Sequence, residues 1–459
     1  MTAIAIDSRK AGADALFVAL RGEHTDGHRY IDCAIENGAT VVVMQDAREL
    51  PSGVTSVVVP DTAAALSVIA DRFFDQPSGA MLTIGITGTN GKTTTAQMVG
   101  AILNAAGIPS GTIGTLGADF SDRHWNLSNT TPLAPELHQL LAQMRDSGAR
   151  GVAMEVSSHA LALQRVNDVR FRAAALTNVT RDHLDFHKTP GAYAAAKRVL
   201  FEQAQACVFN ADDALGAAWA AEFADAKSVL TYGLEAKADV IARDIRVAAA
   251  GSTFAVDRTT FTVNLPGRFN VANALAAIAI ARTLDISDRF SVEGLANLER
   301  VAGRMQHQRA RGIDVVVDYA HTPDALSNAL TALRETATGS LLLVFGCGGD
   351  RDQGKRRQMG EVAEKLADRI YVTSDNPRSE DPQAIIGDIV TGLKGADHRL
   401  IVDRREAIER AITDARSGDV VLIAGKGHET YQLVGEQRLP FDDSAVAAKA
   451  LAARGTSAR

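Results

Sequence analysis

Residues 82–95 read LTIGITGTNGKTTT. The apolar run Leu82, Ile84, Ile86 has the length of a buried strand. After Lys92 the apolar residues Met98, Val99, Ile102, Leu103 and Ala106 recur at helical spacing, Gly107 suits the C-cap, and Pro109 stops the helix. Between strand and helix lies Thr87-Gly88-Thr89-Asn90-Gly91, closed by Lys92, Thr93 and Thr94. Glycines let backbone N–H groups approach phosphate oxygens, and the helix N-terminus adds a partial positive charge. Lys92 reaches the β/γ-phosphates and the Thr93 hydroxyl ligates Mg²⁺ in such a loop. The strict phosphate-loop pattern wants glycine where Ile86 stands, so TGTNGKTT is a narrower variant. The stretch predicts ATP binding.

The chain has 459 residues, 46% hydrophobic and 22% charged, with a net charge of −7. That length exceeds one ordinary core and implies two or three domains. The negative balance offers no general attraction to nucleic acid. Cys33, Cys207 and Cys347 lie far apart without metal-ligand spacing, as in a reducing cytoplasm. No signal peptide or long apolar stretch predicts export or a membrane span.

Residues 1–79 read as a small α/β unit. Asp7-Ser8-Arg9 precedes a strand at 16–20, a polar loop at 21–29, an amphipathic helix and a strand at 40–44. Asp75-Gln76-Pro77-Ser78-Gly79 has linker chemistry. The central region, 80–310, carries the phosphate loop. Its second strand, 151–156, contains Glu155, a carboxylate costly to bury unless paired or metal-bound; beside a phosphate loop a Mg²⁺-binding role is favoured over a satisfied structural acid. A strand at 173–176 runs into TNVTRDHLDFH, 177–187, a polar cluster of the kind an α/β active site places at a strand's C-terminal end. Tyr193 to Phe201 form an amphipathic helix, on which Lys197 reads as an ordinary solvated lysine. Residues 228–265 read as β-hairpins, and an Ala-rich helix opens at Pro266-Gly267-Arg268-Phe269-Asn270.

From 311 a third pattern begins, with strands at 313–317, 341–345, 370–373, 400–402 and 420–424 separated by helices, which implies a Rossmann-like doubly wound sheet. Four polar loops sit where such sheets bind ligands: Asp318 to His321, Gly346 to Lys355, Asp375-Asn376-Pro377-Arg378, and Gly425-Lys426-Gly427-His428-Glu429. The last resembles a phosphate loop, but Gly427 stands where the metal-binding hydroxyl is needed, which argues against a second ATP site. Arg378 offers a planar fork for a carboxylate, with a surface ion pair equally open.

These motifs together resemble the Mur ligases, ATP-dependent enzymes that add amino acids to the peptidoglycan precursor. The resemblance rests on TGTNGKTT (87–94), MEVSSHAL (154–161), TNVTRDHLDFH (177–187), YAAAKRVLF (193–201), GRFNVANALAA (267–277) and DYAHTPDAL (318–326). FVALRG, DGHRYI, GCGGDRDQGKR, DNPR and GKGHE narrow it to members extending UDP-N-acetylmuramoyl-L-alanyl-D-glutamate, with DNPR resembling the version that selects meso-diaminopimelate over L-lysine. The resemblance implies three α/β domains: an N-terminal UDP-substrate domain (1–79), a central P-loop ATPase-type domain (80–310) and a C-terminal amino-acid-binding domain (311–459). It implies a cytoplasmic monomer using ATP and Mg²⁺, with no nucleic acid or membrane partner.

The same resemblance assigns roles. ATP phosphorylates the substrate carboxylate, and the incoming amine attacks the acyl phosphate. Gly88, Thr89, Asn90, Gly91, Lys92, Thr93 and Thr94 hold the phosphates, Asn270 and Arg304 the adenosine side, and Asp318 and His321 close on the nucleotide. Lys92, Glu155, His183 and Lys197 are the implied catalytic set, and Thr93, Glu155, His183 and Lys197 the metal set, with Lys197 carbamylated into an anionic oxygen ligand. Thr130, Thr131, Ser157, Arg165 and Lys197 match positions that hold the muramoyl peptide, with Ser8 and residues 24–27 at the uridine end. Arg351, Asp375, Asn376, Pro377, Arg378, Gly425 and Glu429 match the diaminopimelate pocket. The family usually carries further residues before its DSR motif, whereas this chain reaches Asp7 almost at once.

Three rival readings differ in kind. Folylpolyglutamate synthetases share the central and C-terminal plan but lack the N-terminal unit. A lysine-adding ligase would not want Arg378. A non-catalytic nucleotide-dependent binding module would not need Lys92, Thr93, Glu155, His183 and Lys197 intact. Because the ATP residues and the amino-acid pocket lie on different domains of this reading, reaction requires closure. Small-angle scattering should therefore change on adding nucleotide and UDP-linked dipeptide, and an unchanged profile counts against closure.

Overall fold

The computed structural model describes residues 1–22, 25–248, 250–395 and 397–454. The chain divides into two compact units. The first comprises Met1–Gly85, Ile108–Ala174 and Ala196–Gln205, the second Ile86–Gly107, Ala175–Ala195 and Ala206–Arg459. The strand Leu82–Thr87 passes from one to the other ahead of the phosphate loop.

In the first unit the strands Ile4–Ala5, Ala15–Val18, Ala39–Met44 and Thr55–Val58 form a parallel four-stranded sheet. Leu16, Val18 and Val43 pack on one side with Leu66, Ala70 and Ala134, and Phe17, Ala19, Val42 and Met44 pack on the other with Ile31 and Ala34. That division is the period-two alternation of a strand covered on both faces. The linker expected at 75–79 is instead packed. Pro77–Ala80 forms a 3₁₀ turn, and buried Ser78 accepts from the Arg170 N–H at 3.1 Å. Further along, Ser110–Gly114 pairs in parallel with Gly151–Glu155 and antiparallel with Gly117–Phe120.

In the second unit, the helix Lys92–Ala105 follows the phosphate loop, and the buried helix Arg268–Thr283 packs against it. The hairpins expected over 228–265 occupy only the second half. Ser228–Gly233 and Val240–Ile241 extend a parallel ladder with Ala206–Asn210, and the antiparallel meander is Arg243–Ala248, Gly251–Val256 and Thr259–Val263. The reason lies in the connection. A helix, Ala214–Phe223, separates 206–210 from 228–233, and such a crossover returns the chain in the same direction.

The doubly wound expectation is met by a six-stranded sheet in the order Gln306–Ala310, Ile313–Asp318, Val420–Ala424, Leu341–Phe345, Arg369–Val372, Asp397–Leu400. All neighbours are parallel except the first pair. Leu341, Leu343 and Phe345 enter the core beneath helices Pro323–Thr336, Gly354–Leu366 and Pro382–Val390. Leu342 and Val344 enter the opposite core beneath Arg404–Asp414 and Asp443–Ala453. The loops that carry the candidate site leave the C-terminal ends of these strands.

One buried ion pair ties those loop ends to the helices. Arg404 and Asp443 are fully buried and joined through two bonds, Nε to Oδ1 at 2.8 Å and Nη2 to Oδ2 at 2.7 Å. The same guanidinium donates to Ala424 O at 3.0 Å and Ser374 O at 3.4 Å, at the ends of two neighbouring loops. Removing one partner of such a pair costs about 3–5 kcal/mol because the other charge stays buried. Asp443→Ala should therefore lower the calorimetric melting temperature by several degrees, and Arg404→Met with Asp443→Leu should recover part of the loss. An unchanged melting temperature in the single variant would contradict this account.

Candidate active site

The phosphate loop is held in shape by residues 177–180. Thr177 N–H donates to Thr87 O at 3.0 Å, Thr89 N–H to Asn178 O at 2.8 Å, and Asn90 N–H to Asn178 Oδ1 at 3.0 Å. Thr177 Oγ1 donates to Asn90 O at 2.6 Å, and Thr180 N–H donates to Thr89 Oγ1 at 2.9 Å. Gly88 has φ +145° and Gly91 has φ +89°. A Cβ on Gly88 would meet Thr177 Oγ1 at 1.9 Å, and one on Gly91 would meet Asn273 Oδ1 at 2.3 Å. Only glycine fits either place. Lys92 folds over the loop and donates to the Gly88 and Thr89 carbonyls at 2.9 and 2.8 Å.

The implied nucleotide residues gather around this loop. Arg304 Nη2 donates to Thr93 Oγ1 at 2.9 Å, and its guanidinium lies 4.5 Å from the Tyr319 ring centre. Asn270 Oδ1 accepts from Asn273 at 3.2 Å, and Asn273 Oδ1 faces Thr95 Oγ1 at 3.4 Å. Asp318 is buried and accepts from Met305 N–H at 2.8 Å; burial raises its pKa while Arg304 opposes the rise. His321 is bonded through Nδ1 to Tyr319 O at 2.8 Å, and burial with the nearby Lys355 charge pushes its pKa down to about 4. At neutral pH its ring is uncharged.

Asp182, within the 177–187 motif but given no role from sequence, is an electrostatic centre of this region. Burial alone would raise its pKa; the charges of His183, His321, Lys355 and Lys92 outweigh that and hold it at about 2. His183 Nε2 lies 3.3 Å from Asp182 Oδ2, and its backbone is left-handed at φ +52°. A second residue without a sequence-based role is Asp324, whose Oδ2 accepts from Asn90 Nδ2 at 2.9 Å and from Asn328 Nδ2 at 3.3 Å. The signal was present in DYAHTPDAL, but nothing local says that this helix start meets the phosphate loop.

The amino-acid set is also brought together. Asn376 Nδ2 donates to Glu429 Oε2 at 2.8 Å, and fully buried Lys426 donates to Asn376 Oδ1 at 3.1 Å and Glu429 Oε2 at 3.0 Å. Lys426 is thus a strut rather than a phosphate lysine, as the glycine after it suggested. Gly425 has φ +116°, where a Cβ would meet Asp375 Oδ2 at 2.4 Å. Gly349 backs onto Pro377 O, 1.9 Å from where its Cβ would lie. Arg378 donates to Gly349 O at 2.8 Å; burial and the Arg351 charge lower its pKa, opposed by Asp375, Glu429 and Asp350.

In the first unit, Glu155 is 1% exposed and accepts from Thr115 N–H at 2.7 Å and Thr115 Oγ1 at 3.1 Å. Thr130 Oγ1 lies 3.2 Å from Thr115 Oγ1, and Thr131 Oγ1 donates to Glu155 O at 2.9 Å. Ser157 N–H donates to Thr131 Oγ1 at 3.1 Å, and Arg165 Nη1 donates to Thr131 O at 3.0 Å. Ser8 makes none of these bonds; it starts a 3₁₀ turn capped by Asp7, and its carbonyl accepts from Asn37. Residue 24 lies outside the described residues. Lys197 corrects the sequence reading: its side chain is 1% exposed, not solvated. Tyr193, Leu200 and Phe201, at i−4, i+3 and i+4, are buried too, so helical spacing puts Lys197 on the inward face.

Comparison with known proteins agrees with these motifs. Models described as Mur ligase family, catalytic domain; Mur ligase middle domain; and Mur ligase, glutamate ligase domain match residues 1–74, 86–281 and 303–427. A Bacillus licheniformis protein named UDP-N-acetylmuramoyl-L-alanyl-D-glutamate--2,6-diaminopimelate ligase is 43% identical over 98% of this chain and 94% of its own. The chain belongs to the Mur ligase family. A Chlorobaculum tepidum relative of the same name is 44% identical over 96% of this chain and 91% of its own. A solved structure of a ligase with that name superposes with a TM-score of 0.71 at 34% identity, covering 99% of this chain and 95% of the other.

The Mur ligase loop suits a polyphosphate. It offers two Cβ-free approaches, the Lys92 ammonium and the buried Arg304 Nη1, which has no partner among the described residues. Thr93 and Glu155 are hard oxygen donors of the kind Mg²⁺ takes alongside phosphate oxygens. Thr93 and His183 belong to the second unit, Glu155 and Lys197 to the first. Asp324→Ala leaves Asn90 Nδ2 without its acceptor, so the KM for ATP should rise about fivefold to tenfold. Asp324→Asn keeps an acceptor and should stay near wild type. Equal KM values in both variants would refute the role given to Asp324.

Proposed function

We propose that this Mur ligase joins meso-2,6-diaminopimelate to the D-glutamate carboxylate of UDP-N-acetylmuramoyl-L-alanyl-D-glutamate, using ATP, in the cytoplasm. The observation that carries the reading is the Arg378 loop. A half-buried guanidinium stands beside a second one, Arg351, with burial weighing against its charge. Glu429 and Asn376 supply an acceptor and a donor in the same network. Diaminopimelate ends in an ammonium and a carboxylate, which such a set complements. L-Lysine lacks the distal carboxylate and would leave Arg378 unpaired, a penalty able to give strong discrimination. The relatives' names support the same substrate.

In this reading three domains, 1–79, 80–310 and 311–459, divide the work. The loop from Gly88 to Thr94 orients the triphosphate, with Lys92 and Arg304 drawing charge toward the transferred phosphoryl group. Asn270, Asp318 and His321 place the nucleoside. Thr130, Thr131, Ser157 and Arg165 hold the peptide end, and Ser8 belongs to the uridine side. Thr93, Glu155, His183 and Lys197 are the residues that would hold Mg²⁺, which would supply charge neutralisation. A carbamate on Lys197 turns a buried cation into an anionic oxygen donor, which a hard cation accepts. Holding both substrates in line then supplies most of the rate.

Phosphate release from ATP and Mg²⁺ with the UDP-linked dipeptide, compared between meso-diaminopimelate and L-lysine, tests the proposal. Turnover with diaminopimelate is expected, and Arg378→Ala should cut its kcat/KM by about 10²-fold or more. Preference for lysine would keep the ligase and sink the substrate. No turnover with either, in folded protein, would favour a binding module.

A further inference from the structure

The hairpin formed by Tyr431–Val434 and Gln437–Pro440 was absent from the sequence reading, and its first strand is built against the Arg378 loop. Arg378 has φ +53°, a left-handed backbone that is strained for a non-glycine residue. Such a conformation persists only where its surroundings over-determine it. Here the surroundings are the hairpin. Arg378 N–H donates to Leu433 O at 3.0 Å, and Gly435 N–H donates to Arg378 O at 2.7 Å. Leu433 N–H donates to Asn376 Oδ1 at 2.9 Å. The only side chain of the hairpin in this set is Gln432, whose Nε2 donates to Asp375 O at 2.6 Å and Ser374 Oγ at 3.2 Å. Behind the strand, Tyr431 is held between cations, with the Arg438 guanidinium 3.7 Å and Lys426 Nζ 5.6 Å from its ring centre.

We infer that the 431–440 hairpin is a brace that sets amino-acid selectivity, with Gln432 as a positioning residue acting through the backbone of residues 374–378. The argument is geometric. The loop 374–378 carries Asp375, Asn376 and Arg378, which the proposed function assigns to one ligand, and the hairpin's hydrogen bonds to that loop reach its backbone, the Asn376 amide and the Ser374 hydroxyl. A fork must meet a carboxylate in plane to form two bonds, so rotation of a strained backbone degrades recognition of a distal carboxylate. It degrades recognition of an alkylamine far less. The hairpin makes no hydrogen bond to the phosphate-loop residues among those described, so its loss should separate amino-acid selection from nucleotide binding. This inference rests on the proposed substrate for its selectivity half, and on the structure alone for its brace half.

Two variants test it. Gln432→Ala removes both donated bonds, and Gln432→Glu keeps the volume while replacing the donor by an acceptor that faces Asp375 O. Amide hydrogen exchange comes first, because it does not depend on the amino acid used. Exchange at the Arg378 and Gly435 amides should quicken by about tenfold in both variants, as loss of a bond worth about 1–1.5 kcal/mol requires, while amides of the six-stranded sheet keep their protection. Unchanged exchange at those two amides overturns the brace. Turnover comes second. In both variants the KM for diaminopimelate should rise about tenfold and the ratio of kcat/KM for diaminopimelate over L-lysine should fall by a similar factor, with the KM for ATP unmoved. A wild-type ratio retained in both variants overturns the inference, whereas a wild type that does not prefer the distal carboxylate overturns the proposed substrate and leaves the exchange result to decide the brace. In the Arg378→Ala background the effect of Gln432→Ala on the ratio should vanish; an additive effect would show that Gln432 acts elsewhere.

Discussion

The close approach between the phosphate loop and the segment after strand Ala173–Leu176 is the constraint on which the nucleotide site depends. Gly88 has no room for a side chain because Thr177 Oγ1 occupies the place of its Cβ. In return Thr177 and Asn178 take up the polar backbone groups of Asn90 and Thr89. A loop of this kind is otherwise free to rearrange, and its N–H groups would turn away from a ligand. Here the neighbouring strand end supplies the bonds in advance, so the cost of ordering the loop falls on folding and not on nucleotide binding.

A similar arrangement recurs at the amino-acid loops, with a different material. The first site uses threonine and asparagine side chains to hold a glycine loop. The second uses a buried lysine, Lys426, and a buried arginine, Arg404. Each cation is fully paired, with Glu429 and Asn376 in one case and Asp443 and two carbonyls in the other. Buried charges contribute little net stability, but they are unforgiving of misplacement. That property suits loops whose side chains must meet a charged ligand at fixed distances. In the proposed function, Arg378, whose charge burial and Arg351 oppose, is the cation left for the ligand.

Electrostatics divides the titrating groups of the nucleotide region in the same spirit. Asp182 stays ionised because the basic groups around it, His183 foremost and then the Lys355 and Lys92 charges, outweigh its burial, and His321 stays neutral because burial and Lys355 oppose its protonation. Both states therefore hold across the neutral range, and neither residue is poised to change charge near pH 7. A site that works by orienting phosphate and carboxylate groups gains from fixed charges. General acid–base chemistry would instead call for a group tuned close to neutrality.

Much of this was legible from sequence. The loop TGTNGKTT, the apolar strands at 341–345 and 420–424, and the DNPR and GKGHE loops depend on local sequence, and the elements formed where it put them. Lys197 was misread although its spacing from Tyr193 and Phe201 marks a buried face, because a lysine's charge argues against burial until a partner is known. The parallel course of 228–233, the meeting of Asp324 with Asn90, and the hairpin bracing Arg378 were not readable. Each is a contact between residues far apart in the chain or a choice of strand partner, and composition and period carry no information on either. The amino-acid sequence by itself determined the fold class, the loops and the residues that can bind phosphate and carboxylate. Only the tertiary structure decided which of them meet, because the distances that make a carboxylate ionise or a fork point correctly exist only after packing.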